Sequence, residues 1–390
     1  MEIIFHRYNS ICEPDIIAAF RALGINVIEE DTEIYQKSIQ PSERIRLLCE
    51  QILSHQPAFV FSINFFPYIS NVCEKLHILY VCLSVDCPVL ELFSSAIRNK
   101  CNRIFLFDRH QYLQIKDENP DCIFHLPLAV NVDRWDSVFS SILSPSDEQY
   151  DVSFVGSLYN EKSRYHDLLL SEFDRGFCDG LIEAQLKLPS LSLIEESLTP
   201  ELVAAIKKAD GRFHTLPDAF TDTDSYVAAN YYLGMEASSL ERIRLLNVLA
   251  SCTDFQTHLF TRSDTSALKG VICHEGVATH TEMPFIFRQS KINLNITIRS
   301  IQTGLSQRIW DVLGCKGFLM TNYQEELPEY FEIGRDLDCY ENIAECSEKV
   351  RFYLSHDDIR REIADRGYQK VKAMHTYLIR IAQMLKIIFS

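Results

Sequence analysis

The apolar runs in this chain constrain its fold more than any other feature. They are too short to cross a membrane and too continuous to be one face of a helix. Residues 58–63 (Ala-Phe-Val-Phe-Ser-Ile), 77–84 and 103–107 are apolar almost throughout. A strand covered on one face alternates apolar and polar residues, whereas a strand covered on both faces does not. Helical patterns lie between the runs. Pro14 suits a first helical turn, Ile16, Ile17, Ala19 and Phe20 follow helical spacing, and Gly24 ends that helix before a strand at 25–28. A helix is expected over 41–54, and 123–128 ends the series. Strands alternating with helices, with the strands buried on both faces, predict a doubly wound α/β domain over about residues 1–130.

The pattern resumes after an acidic stretch at 141–149, the best linker candidate. Asp151 to Val155 reads as a strand running into Gly156-Ser157. A mainly helical region follows, and strands return at 257–260, 271–273, 292–295 and 317–321. The last fifty residues read as helices. The expected organisation is an N-terminal domain over 1–140 and a second domain over 150–374, which carries a helical insertion at about 160–250. In such sheets ligands bind outside the carboxyl ends of the strands, so the loops after each strand matter most.

Charge and cysteine content exclude several function classes. Lys plus Arg number 38 and Asp plus Glu number 54, a net charge of −16. That balance argues against duplex nucleic acid or an anionic membrane as the main partner. The thirteen cysteines include no C-x-x-C pair, so they read as reduced, mostly buried residues of a cytoplasmic protein. No signal peptide opens the chain, and no apolar run reaches the roughly 18 residues of a membrane span. No Gly-x-Gly-x-x-Gly follows the first strand, which argues against NAD or FAD. Asp222-Thr223-Asp224 and Asp336-Leu337-Asp338 have D-x-D spacing. They read as a helix start and a surface turn, so no metal is expected.

The most informative stretch is 290–322, which reads strand, polar loop with Gly304, helix, Gly-Cys-Lys-Gly turn, strand. Backbone amides near Gly304 and Leu305 would suit a diphosphate. Arg299 and Arg308 would add charge-assisted contacts. Asp311, one helical turn beyond Arg308, would take two ribose hydroxyls. A surface Arg–Asp pair on a core-facing helix fits the same pattern.

Residues 290–321, with Phe154-Val155-Gly156-Ser157-Leu158-Tyr159 and the late His375-Thr376-Tyr377 and Arg380, resemble a bacterial family of GT-B glycosyltransferases that includes the spore-maturation CgeB-type proteins. The N-terminal half resembles the partner domain in Asn9 to Asp15, in Ser84-Val85-Asp86-Cys87-Pro88 and in Leu126 to Val130. The resemblance implies two Rossmann-like domains facing a cleft, with a final helix at about 375–390 packing back on the first. It implies a nucleotide diphosphate sugar, UDP being the commonest, on the second domain and a protein or glycan acceptor on the first. Gly156, Ser157, Thr261, Arg262, Asn295, Arg299, Gly304, Leu305, Arg308 and Asp311 would form the donor site. Asn9, Asn64 and Phe66 would contact the acceptor. Asp86, and after it Glu13, would be the general base of an inverting reaction. Many retaining relatives place two glutamates eight positions apart. Here those positions are Thr303 and Asp311, so that pair is absent. The expected activity is metal-independent sugar transfer to an acceptor hydroxyl. The rival readings are a nucleotide-sugar epimerase and a non-catalytic protein of the same fold.

Overall fold

A computed structural model describes residues 1–36, 38–140, 148–188 and 192–389. Most of the expected linker, 141–147, lies outside the described residues. The chain forms two compact units. The first comprises 1–131, 216–223 and 375–390, and the second 132–215 and 224–374. The helix Val132–Ser140 therefore belongs to the second unit rather than to the first.

The first unit is built on six parallel strands, β1 (Glu2–His6), β2 (Asn26–Glu30), β3 (Phe59–Ile63), β4 (Leu79–Leu83), β5 (Asn102–Leu106) and β6 (Ile123–His125), in the order β2-β1-β3-β4-β5-β6. β3 is buried at all five positions, as its unbroken apolar sequence requires. The order reverses between β1 and β3, which makes the carboxyl ends of those two strands the switch point of the sheet.

The second unit carries β7 (Tyr150–Val155), β8 (Thr257–Thr261), β9 (Ile272–Glu275), β10 (Ser290–Asn295), β11 (Leu319–Asn322) and β12 (Asp338–Tyr340), also all parallel. Their order is β12-β11-β10-β7-β8-β9, the doubly wound order of dinucleotide-binding domains with its switch point between β7 and β10. β12 corrects part of the reading of 336–338 as a surface turn, since Asp336 does lie in a partly exposed turn but Asp338 does not. Asp338 opens the strand almost fully buried, and its carboxylate accepts hydrogen bonds from Tyr353 Oη at 2.7 Å and Lys349 Nζ at 3.0 Å. A strand of three residues that starts on an aspartate has no apolar signature.

Two segments from late in the chain complete the first unit. Residues 216–223, read as part of the helical insertion, belong to it. Ser95 N donates to Asp218 O at 2.8 Å, Phe220 packs on Phe93 with ring centres 5.9 Å apart, and the Arg98 guanidinium lies 5.2 Å over Phe220. The helix Tyr377–Ile388 adds Tyr377, Ile381, Met384 and Ile388 to the core around Ile16, Ile17 and Phe20. Its entry is fixed by a two-way backbone bridge. Val130 N donates to His375 O and Tyr377 N donates to Val130 O, both at 3.1 Å. Buried Arg380 donates to Leu128 O at 3.2 Å.

The final helix is thus core to the first unit rather than a decoration. Ile381→Ala should destabilise the protein by about 2–5 kcal/mol in denaturant unfolding. Leu378→Ala, on the exposed side of the same helix, should change stability by less than about 0.5 kcal/mol.

Candidate functional site

In the first unit the switch point gathers three loops. Asn64 follows β3 with a left-handed backbone, φ 57°. Asparagine tolerates that region because its short side chain bonds locally. Its Oδ1 accepts from the backbone N–H of Val85 at 3.0 Å and of Asp86 at 3.2 Å. Its Nδ2 donates to Asp86 Oδ2 at 2.6 Å and to Tyr8 Oη at 2.8 Å. One amide therefore orients the carboxylate after β4 and the phenol after β1. Asp86 is exposed, so its other oxygen faces solvent. Burial and then the negative charge of Asp86 push the Tyr8 phenol well above its ordinary range, so Tyr8 stays a protonated donor.

Glu13 has a different situation. It is 1% exposed, and its Oε1 accepts from the backbone N–H of Tyr8 at 2.8 Å and of Ser10 at 2.9 Å, while Oε2 accepts from Arg7 Nε at 3.0 Å. Both oxygens hold the β1 loop in shape, and the structure leaves no edge of Glu13 for a substrate. Asn9, with φ 73°, is exposed in the same loop. Phe66 is half-buried, edge-on to His6 and Tyr8 at 4.9 and 5.5 Å. The sequence reading missed His6. Its Nδ1 lies 2.6 Å from Glu30 Oε2 and its Nε2 lies 3.3 Å from Tyr68 Oη. Burial pushes the Glu30 carboxyl up, but hydrogen bonds from His6 and Thr32 outweigh this and hold it below the usual range. With 1% exposure and both ring nitrogens engaged, His6 organises the sheet end rather than meeting a substrate.

In the second unit one buried residue ties the switch point together. Arg242, on the helix Gly234–Ala250, donates through Nη1 to Ser157 O after β7 at 2.6 Å and through Nη2 to Ile296 O after β10 at 2.5 Å. Its guanidinium lies over the rings of Tyr159 and Phe154, at 4.5 and 5.2 Å. Sequence reading passed over Arg242 because it sits in a Leu-rich helical stretch. Its partner carbonyls lie 85 and 54 residues away in the chain.

Around that clamp the predicted donor residues separate into two kinds. Several are committed to shaping loops. Ser157 Oγ accepts from Tyr159 N at 2.7 Å and donates to Glu161 Oε1 at 2.5 Å. Thr261 Oγ1 accepts from Ser263 N at 3.1 Å. Asn295 spends its amide on Thr297, Thr321 and Ser306. Arg299 pairs with Glu241. Others present groups at the carboxyl edge. Arg262, after β8, is exposed and makes no hydrogen bond or ion pair among the described residues. Its stem lies against Gly276, where a Cβ would sit 2.5 Å from Arg262 Cγ. Gly304 and Leu305 are buried in the loop leading to the helix Gln307–Gly314, which starts without a side-chain cap hydrogen bond. Asp311 is oriented by Gln307 Nε2 at 2.9 Å and by Arg308 Nη1 at 3.2 Å.

Thr303 also differs from what the sequence suggested about it. No carboxylate stands at that position, yet Thr303 Oγ1 donates to Glu326 Oε1 at 2.8 Å. A buried glutamate from the loop after β11 thus lies beside the vacant acidic position. The D-x-D carboxylates are engaged elsewhere, Asp224 with Lys207 and Asp336 with Lys370, both at 2.6 Å. Among the described residues no three His, Cys, Asp or Glu side chains are grouped to hold a metal ion. No described helix is long and apolar enough to cross a membrane.

Removing Arg242 would leave the buried Ile296 carbonyl unsatisfied, at about 1–3 kcal/mol, and the half-buried Ser157 carbonyl at somewhat less. Arg242→Met should therefore lower unfolding free energy by about 2–5 kcal/mol. Arg351→Met, which breaks an exposed pair with Asp254, should cost no more than about 1 kcal/mol.

Comparison with known proteins agrees with this geometry. Residues 242–386, which begin at the clamp arginine, match the profile of a family described as "Glycosyl transferase-like". The match covers less than half of the chain. No curated protein sequence matches. Among solved structures, a sucrose-phosphate synthase from Thermosynechococcus elongatus superposes with a TM-score of 0.56 at 10% identity, covering 100% of this chain and 99% of that one. Anabaena HepE in complex with UDP and glucose gives 0.52 at 9% identity, covering 100% and 99%. T4 phage BGT in complex with UDP-glucose gives 0.51 at 9% identity, covering 100% and 98%. Two six-stranded parallel sheets with flanking helices, in this order and at this coverage, are the GT-B fold.

Proposed function

We propose that the chain transfers a hexose-type sugar from a nucleotide diphosphate sugar, with UDP as the nucleotide, to a hydroxyl of a protein or glycan acceptor. The observation that carries this reading is the carboxyl edge of the second sheet. There a free Arg262, the uncapped start of Gln307–Gly314 and an oriented Asp311 surround the β7–β10 switch point. An arginine and helix-start amides suit a diphosphate, and a carboxylate one turn into the helix suits ribose hydroxyls. The glycosyltransferase-like match spans Arg262 and Asp311, and two proteins of similar fold have been captured with UDP-glucose or with UDP and glucose. The narrower assignment to the CgeB-type group and the cytoplasmic location belong to the same proposal.

The chemistry asks two things of the protein. As the bond from the anomeric carbon to the diphosphate breaks, negative charge grows on the leaving oxygen. Arg262 and the helix amides offset it, so the reaction needs no metal. As the acceptor oxygen bonds to the anomeric carbon, it loses a proton. Asp86 accepts that proton, held in place by Asn64 and open to solvent on its other oxygen.

Asp86→Asn should lower sugar transfer by about 10²–10⁴-fold while leaving UDP affinity unchanged. Wild-type turnover in that variant would remove Asp86 from the mechanism. Arg262→Ala should weaken UDP binding by about tenfold or more, measured by titration calorimetry. Activity that is lost in EDTA and restored by Mn²⁺ would overturn the metal-free reading.

A further inference from the structure

The second unit contains a cavity of about 570 Å³ that none of the donor roles explains. It is walled by the last turns of the helix Glu172–Lys187, the middle of Gly234–Ala250, the carboxyl ends of β11 and β12, and Arg299 from the loop after β10. Arg299 faces this space rather than the diphosphate edge, because it pairs with Glu241 in the cavity wall.

The lining specifies a ligand chemistry. Its carboxylates are Glu183, Glu241 and Glu341, and its cations are Lys187, Arg244 and Arg299, so the wall carries no net charge. Two of these pairs are already closed, Arg244 with Glu183 and Arg299 with Glu241. A dianion would find no spare cationic excess here. Lys187 and Glu341 remain as one charge of each sign, and the other polar groups left over are neutral. Asn322 Oδ1 accepts from Thr297 N at 2.8 Å and Asn342 Oδ1 accepts from Glu345 N at 3.0 Å. These bonds fix each amide's orientation and leave each NH₂ without an acceptor among the described residues. Glu241 Oε2 is buried with no hydrogen-bond partner among the described residues. Burial pushes the Glu241 carboxyl up against the opposing pull of Arg299. The half-buried Tyr323 adds a ring and a hydroxyl.

Free NH₂ donors, the exposed Glu341 carboxylate as an acceptor and an aromatic ring in a charge-balanced wall match a ligand whose every polar group both donates and accepts. Hydroxyls do this, and the apolar faces of sugar rings pack on tyrosine. The volume falls within the ordinary range of small-ligand pockets. We propose that this cavity is a binding site for a neutral saccharide, separate from the donor site and formed by the second unit alone.

The test uses the full chain, without donor, titrated with maltotriose, cellotriose and chitotriose as neutral probes and with UDP as the charged one. At least one trisaccharide should bind saturably. Tyr323→Ala, which removes the ring, and Leu186→Trp, which fills the cavity from a partly exposed position, should each weaken it by about tenfold or more. UDP affinity and the unfolding midpoint should stay as in wild type, which separates loss of the site from loss of the fold. The proposal is overturned if no trisaccharide saturates the wild-type protein, or if trisaccharide binding survives both substitutions. It is also overturned if UDP displaces the trisaccharide. None of these results depends on transfer activity, so the proposal can fail while the donor reading stands, and the reverse.

Discussion

Both sheets are parallel throughout, and that constraint organises everything else in the molecule. A parallel strand cannot turn directly into its neighbour; the chain must cross over and start again at the same end. Each sheet therefore needs helices on both faces and sends every strand's exit loop to one edge. At the switch points, β1 beside β3 and β7 beside β10, neighbouring loops diverge and leave room for polar groups. Asn64 occupies the first and Arg242 ties the second. In each case one planar, multi-valent side chain satisfies groups from separate loops, and this converts a sheet edge into a fixed arrangement of atoms.

The two clamps differ in what they leave open. Asn64 is a neutral amide at a partly exposed position, and the carboxylate it orients remains in water. Arg242 is a buried cation whose burial lowers its guanidinium's proton affinity. Two carbonyls and two aromatic faces compensate it where a carboxylate would otherwise be needed. A carboxylate partner would have placed negative charge beside the loops that follow β7 and β10. Carbonyl partners fix the same geometry without that charge.

What could be read in the sequence follows from how local its cause is. β3 and β4 were legible because their burial on both faces is written in consecutive residues. The positions of Asp86 and Arg262 at strand ends were legible because each follows an apolar run within a few residues. Arg242 was not, since its role depends on carbonyls from two distant loops, and any residue presents a carbonyl. The fate of Glu13 was equally hidden. A carboxylate at a helix start can serve a substrate or its own loop, and only the three hydrogen-bond donors around it decide. Glu326 reached Thr303 across 23 residues with no spacing to announce it.

The route of the chain limits how this protein can be divided. It passes from one compact unit to the other four times, at 131/132, 215/216, 223/224 and 374/375. A fragment ending near residue 140 would lack Phe220 against Phe93 and the whole helix Tyr377–Ile388. The remaining fragment would carry both of those segments with nothing to cover them. Gene fusion, fission or domain shuffling at the obvious linker would yield two incomplete cores. Each unit is compact, yet neither is continuous in sequence, so no single cut in the chain yields either one whole.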